Sequence, residues 1–152
     1  MVDSLNSFVL KKVIAKETLV LRQQILRPKA KVNECVFPGD HEDNSLHLGV
    51  FKGSELVAIA SVLNQDQQAK MLQGVWRMRG IAVQEAYRGQ HLGRLLLNSV
   101  FSYVKSQNAR RIWCNARVSS AGFYKKFGMQ PEGEPFELPD IGLHYVYALD
   151  LN

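Results

Sequence analysis

The chain has little cysteine: Cys35 and Cys114 are the only two in 152 residues. Two thiols build neither a disulfide framework nor a metal centre, so no metal is expected, and a reducing, cytoplasmic setting is the simplest reading. Long apolar runs are missing as well. The longest, Leu56 to Leu63, has the length of a strand, whereas a membrane helix needs roughly 20 apolar residues. Met1-Val2-Asp3-Ser4 carries no basic stretch leading into an apolar one, so no secretory leader is expected. There is no internal repeat, low-complexity segment or linker. Residues 1–152 therefore read as a single domain, long enough to bury a full core.

Apolar residues make up 46% and charged residues 22% of the chain, as in ordinary globular proteins. The formal net charge is +5. That balance suits an anionic ligand, an acidic substrate or nucleic acid. No aromatic–basic interleaving or nucleic-acid motif is present, so nucleic acid is not an expected partner. Membrane is not expected either, and the oligomeric state is open, a homodimer included.

Periodicity gives the order strand, helix, three strands, helix, strand, helix, two strands. Ser7 to Ile14 reads as the first strand, and Thr18 as the cap of a helix over Leu19 to Arg27, halted by Pro28. Residues 29–44 form an irregular loop holding Glu34, Asp40 and His41. Ser45 to Phe51 alternates, and Leu56 to Leu63 is apolar on both faces, as a central strand would be. Met71 to Val83 follows, with Trp76 and Met78 alternating with Arg77 and Arg79. Leu92 to Val104 is helical, Arg110 to Ala116 a strand, and Ser119 or Ser120 starts a short helix ended by Gly128. Met129 to Glu137 and Leu143 to Leu151 close the chain. This order implies a mixed sheet with helices on both faces.

Arg88-Gly89-Gln90-His91-Leu92-Gly93 carries the most chemical information. It joins the apolar run Gly80 to Val83 to a helix start. A strand, a glycine-bearing turn and a helix start present several backbone N–H groups, with the positive end of the helix dipole, to one small concave surface. Phosphate or pyrophosphate suits it. An ordinary tight connection is the competing reading.

Two segments resemble the GNAT superfamily of acetyl-coenzyme A-dependent N-acetyltransferases: residues 79–94 and residues 115–129. The resemblance covers nearly the whole chain. It implies an α/β fold of mixed α+β type, with a central mixed, mostly antiparallel sheet of about seven strands. It implies that the backbone of Ile81, Ala82 and Val83 pairs with the pantetheine arm. The amides of Arg88, Gly89, Gln90, His91, Leu92, Gly93 and Arg94 would cradle the pyrophosphate of acetyl-coenzyme A, the co-substrate. Tyr124 would sit near the thioester sulfur. His91 stands where the family usually has glycine. Arg117 stands where an asparagine is common, and Asn115 is the nearby residue that would serve.

The reaction implied is transfer of an acetyl group to a primary amine of a small molecule or a protein by direct attack. A non-catalytic coenzyme A-binding regulatory module is the alternative. Transfer needs a neutral amine, a polarised carbonyl and a protonated leaving thiolate. Tyr124 is the candidate acid, the competing reading being a core aromatic spaced with Phe123 and Phe127. A backbone N–H at Val83 or nearby would polarise the carbonyl. Glu34, His47 and His144 are the candidates for base or substrate contact. Cys114 reads as a small buried residue rather than a nucleophile. Arg88, Arg94, Arg110, Arg111, Lys125 and Lys126 are the basic residues within reach of phosphates, a solvated basic surface being the plainer reading of most.

Overall fold

A computed structural model describes residues 7–139 and 141–151. Seven strands form one sheet in the order β1-β2-β3-β4-β5-β7-β6. They are β1 Val9–Val13, β2 Leu46–Lys52, β3 Glu55–Leu63, β4 Val75–Val83, β5 Arg111–Arg117, β6 Gln130–Leu138 and β7 Gly142–Asp150. Every neighbouring pair is antiparallel except β4 and β5. Three α-helices accompany the sheet: α1 Ala15–Leu21, α2 Leu92–Ser106 and α3 Ala121–Lys125. The mixed, mostly antiparallel α/β architecture is the expected one.

The two faces of the sheet are covered differently. On the first, Leu92, Leu96, Leu97, Val100 and Val104 of α2 pack on Val62, Trp76, Met78, Ile112 and Cys114. Their helical spacing provides the stripe that the sheet buries. The second face meets α1, whose Leu21 packs with Ile59 and Ala82. Further along that face Val75, Trp113 and Ala148 cluster together. Alternation then assigns Arg77, Arg79, Asn115, Arg117, His144 and Val146 to the second face.

The first helix differs from expectation. It begins at Ala15, and Ile14 N–H donates to the Glu17 carboxylate at 2.9 Å. Thr18 lies inside it and its hydroxyl donates to the Ala15 carbonyl at 2.6 Å, so Thr18 is not the cap. Arg22–Leu26 then continues as a π turn, closed by Arg27 N–H on the Arg22 carbonyl at 3.0 Å. The widened turn lies where Arg22 enters the core.

Arg22 is 1% exposed. Its guanidinium grips Asp40 with two bonds of 2.7 and 3.1 Å, and donates to the Cys35 carbonyl and the Ser61 hydroxyl. His47 joins the same cluster, with Nδ1 2.7 Å from Ser61 Oγ and Nε2 2.8 Å from the Asp40 carbonyl. The irregular loop is thus nailed to β2 and β3 by its buried carboxylate. Breaking a buried pair on one side leaves an uncompensated charge.

Asp40→Asn keeps the size and removes the counter-charge. Its expected cost is about 3–5 kcal/mol, read as a lower urea midpoint at unchanged slope. A loss below about 1 kcal/mol, the scale of exposed pairs, would remove this pair from the stability of the fold.

Candidate active site

β4 and β5 are paired only at Val75–Arg77 against Arg111–Trp113. Beyond that point the strands part. A bulge sits in β4 just there: Ser61 faces Arg79 and Ile59 faces Ala82, leaving Gly80 and Ile81 as the inserted stretch. Gly80 has φ +68°, and a Cβ on it would lie 2.8 Å from the Phe37 ring, so glycine is required twice over. The bulge also resets the alternation: Trp76 and Met78, then Ile81 and Val83, face α2, while Ala82 faces α1.

The gap holds a cavity of about 320 Å³ lined by residues of both faces. Tyr124, Met78 and Cys114 close the side of α2. Phe37, Arg79, Asn115 and His144 are among those on the other side. A second hollow of about 290 Å³ wraps the glycine turn, bounded by Val83, Gly89, His91, Gly93 and Phe123 with the cations Arg88, Arg94 and Lys126. Arg88 borders both, so the two spaces adjoin at that residue.

The backbone of this region has donors to spare. Gln84 N–H bonds the Val57 carbonyl of β3 at 2.9 Å, so alternate residues point the other way. The Val83 carbonyl accordingly accepts from Arg88 Nε at 3.2 Å, which places the Val83 backbone on the open edge. Ile81 shares that edge, whereas Ala82 pairs with Ile59 and turns its backbone to β3. The edge is therefore offered by Ile81 and Val83 rather than by all three. At the turn, Leu95 N–H makes the first bond of α2, to the His91 carbonyl at 3.0 Å. The N–H groups of Leu92, Gly93 and Arg94 come before it and have no acceptor within the helix. His91 itself adopts φ 64° and ψ 23°, the left-handed geometry that glycine would take. Its side chain makes no capping bond. Gln90 is exposed and lies outside the lining of the hollow, although its backbone belongs to the turn. Arg110 and Arg111 lie elsewhere: Arg110 donates to the Gln73 carbonyl, and Arg111 is paired with Asp150 and Glu132.

Tyr124 is half-buried, stacked on Tyr147 at 5.9 Å and edge-on to Phe123 at 5.1 Å. Burial raises its phenol pKa, so it stays protonated across the ordinary pH range. Cys114 lines the same cavity and burial pushes its thiol up to about 12. A thiol held protonated is no nucleophile, in accord with its reading as a packing residue.

The candidates for a base separate cleanly. Glu34 is exposed, accepts from Lys31 N–H at 2.7 Å and does not border the cavity; it caps the short turn Val32–Cys35. His47 is held by both ring nitrogens in the Arg22–Asp40 cluster and lies outside the cavity lining. His144 alone of the three borders the cavity. It is buried, with Nδ1 2.7 Å from the Gly142 carbonyl. A carbonyl can only accept, so Nδ1 carries the proton and Nε2 of the neutral ring keeps its lone pair. The sequence reading missed Arg22, Phe37 and Arg79 as members of the site. Two arginines alternating with core residues in a central strand were the available signal for the last.

Known proteins share this fold. The Acetyltransferase (GNAT) family profile matches residues 16–129. An uncharacterized N-acetyltransferase of Bacillus subtilis (strain 168), YitI, is 37% identical over 136 residues, 90% of this chain and 91% of that protein. The crystal structure of Escherichia coli ElaA superposes with a TM-score of 0.77 at 20% identity, covering 93% of this chain and 99% of the other. An aminoglycoside 6'-N-acetyltransferase complexed with coenzyme A superposes with a TM-score of 0.73 at 13% identity, over 93% and 96% of the two chains.

His91→Gly tests what the left-handed residue contributes. Relief of the backbone strain, about 1–2 kcal/mol, outweighs the entropy cost of glycine, about 0.5–1 kcal/mol, so stability should rise slightly. Coenzyme A affinity by calorimetry should be retained, because the backbone N–H remains. A marked fall in affinity would show instead that the imidazole contacts the phosphates.

Proposed function

The chain belongs to the GNAT acetyltransferase family and is an N-acetyltransferase, and from that premise we propose a direct acetyl transfer across the gap between β4 and β5. Acetyl-coenzyme A lies on the α2 side, with its pyrophosphate on the N–H groups of residues 92–94 and on Arg88, Arg94 and Lys126. Its pantetheine arm pairs with the open edge at Ile81 and Val83. The acceptor amine enters from the second face. The single observation that carries this reading is the position of the two proton-handling groups, Tyr124 on one side of the cavity and His144 on the other.

Each has the state its role needs. Nε2 of His144 takes a proton from the ammonium or from the attacking nitrogen. The freed lone pair forms the N–C bond to the thioester carbonyl. An N–H of the open β4 edge, at Val83 or Ile81, takes the charge that develops on the oxygen. As the C–S bond breaks, the electron pair goes to sulfur and the Tyr124 phenol protonates it. Burial acts on donor and acceptor alike: the desolvation that raises the Tyr124 phenol and pushes the Cys114 thiol up to about 12 acts also on a thiolate released in the same cavity, so that thiolate is left a stronger base than in water and remains matched to the phenol. Solvent then returns a proton to Tyr124 and removes one from His144. Asn115 borders the cavity on the His144 side, within reach of the acceptor as well as of the pantetheine arm. No helix among the described residues is long and apolar enough to cross a membrane. The whole chain acts in this reading as one domain, in the reducing cytoplasm to which two free, buried thiols are suited.

Tyr124→Phe keeps the ring and removes the proton. Turnover should fall by roughly 10²–10⁴-fold with little change in acetyl-coenzyme A affinity. Because burial raises the phenol, the wild-type rate should show no basic limb from Tyr124 below about pH 10, the ordinary tyrosine value. His144→Gln should lower turnover on a similar scale. Unchanged turnover in either variant, with chemistry rate-limiting, assigns that proton step to water.

A further inference from the structure

We propose that the acceptor amine carries an anionic group, a carboxylate or a phosphate, seated on Arg79 against the Phe37 ring. The inference rests on the acetyl-transfer reading above and names the class of its second substrate.

The acceptor side of the cavity has an unusual charge pattern. Six arginines border the cavity as a whole, and no aspartate or glutamate does among the described residues. The arginines are not equivalent. Arg22 is committed to Asp40, Ser61 and the Cys35 carbonyl. Arg77 lies 4.8 Å from the Trp113 ring and touches the Gln65 side chain at 3.4 Å. Arg79 is half-buried, 4.0 Å over the Phe37 ring, and makes no hydrogen bond or ion pair with any described residue. Phe37 is shared: the Arg22 guanidinium stacks on it at 3.7 Å. Arg79 therefore has its plane fixed by a ring and its N–H edge unspent.

A guanidinium so placed is costly. Burial, followed by the like charges of Arg77 and Arg22, lowers its pKa to about 9, which still leaves it charged at neutral pH. The Nε groups of Arg22 and Arg77, also in the lining, are buried without partners. A planar anion answers this arrangement, since carboxylate and phosphate match the fork of a guanidinium. The same field works against the opposite class. An amine with a second positive charge would place it among arginines, with no carboxylate among the described lining residues to receive it. The amine itself is neutralised at His144, on the same face as Arg79, so one molecule reaches both.

The test uses matched amines and the full chain. 6-Aminohexanoate and 4-aminobutyrate are compared with hexylamine, butylamine and cadaverine, and O-phosphoethanolamine with ethanolamine. Acetyl transfer is read by thiol release, and binding of each amine to the protein–coenzyme A complex by calorimetry. The anionic member of a pair should be favoured about ten- to a hundredfold in kcat/KM, the worth of a charge-assisted bond. Cadaverine should be the poorest. Which anionic pair shows the larger ratio decides between carboxylate and phosphate. Arg79→Gln should collapse the ratio towards one, and Arg79→Lys should keep part of it. Neutral amines equal to or better than anionic ones in the wild-type protein overturn the proposal without any variant. So does a ratio that survives Arg79→Gln. If no amine is acetylated yet 6-aminohexanoate or O-phosphoethanolamine binds in an Arg79-dependent way, the transfer reading fails and the anion seat stands. If no anionic probe binds, the seat itself is refuted.

Discussion

The strand ladder that joins the two halves of the sheet, between β4 and β5, is only three residue pairs long. The parallel ladder stops at Arg77 and Trp113, and the bulge at Gly80 bends β4 out of line. A sheet that stayed paired would have no gap, no cavity and no unpaired β4 edge. Once the strands part, the backbones of Val83 and Ile81 lie beyond the β5 ladder and form an open edge. The phase of β4 also changes across the bulge, so Ile81 and Val83 come to the α2 side while Arg79 remains on the other. The open β4 edge and the Arg79 side of the cavity are thus separated by one inserted stretch of strand.

The second constraint is electrostatic. Six guanidinium groups border one cavity, and burial of that much charge calls for a counter-charge. Asp40, outside the lining, supplies one, paired with Arg22 and tied through its carbonyl to His47. The same pair anchors the irregular loop that carries Phe37, with Phe37 N–H donating to the Asp40 carboxylate at 2.9 Å. Loop position, ring position and the charge left on Arg79 follow from one buried interaction. Desolvation acts on the other side: it holds Tyr124 and Cys114 in their protonated forms.

Most of the framework was legible in the residues. β3 reads as central because both its faces are apolar, and it is central. The Gly89–Gly93 turn reads as an anion cradle, and its hollow is lined by cations. The first helix was misread because Thr18 is a good cap residue by type, yet its hydroxyl bonds within the helix and Glu17 does the capping. Glu34 and His47 drew attention as titratable groups. Sequence could not show that one caps a turn and the other spends both ring nitrogens in a buried cluster. Arg79 was visible as one arginine among many; its solitude depends on which carboxylates come near it.

What the sequence by itself determined is local: the order of elements, the glycine turn before α2, the aromatic Tyr124 in its short helix, and the two segments that resemble one family of acetyltransferases. Each depends on residues close together in the chain, where periodicity and backbone chemistry act directly. Only the tertiary structure decided where β4 and β5 part, which histidine borders the gap, and that the half-buried Arg79 makes no hydrogen bond or ion pair with the described residues. Those are relations between segments distant in the chain: Asp40 reaches back 18 residues to Arg22, and His144 lies opposite Arg117 across a strand pairing. Packing and desolvation, which decide whether a buried charge has a partner, operate on that folded arrangement and leave no periodic trace in the chain.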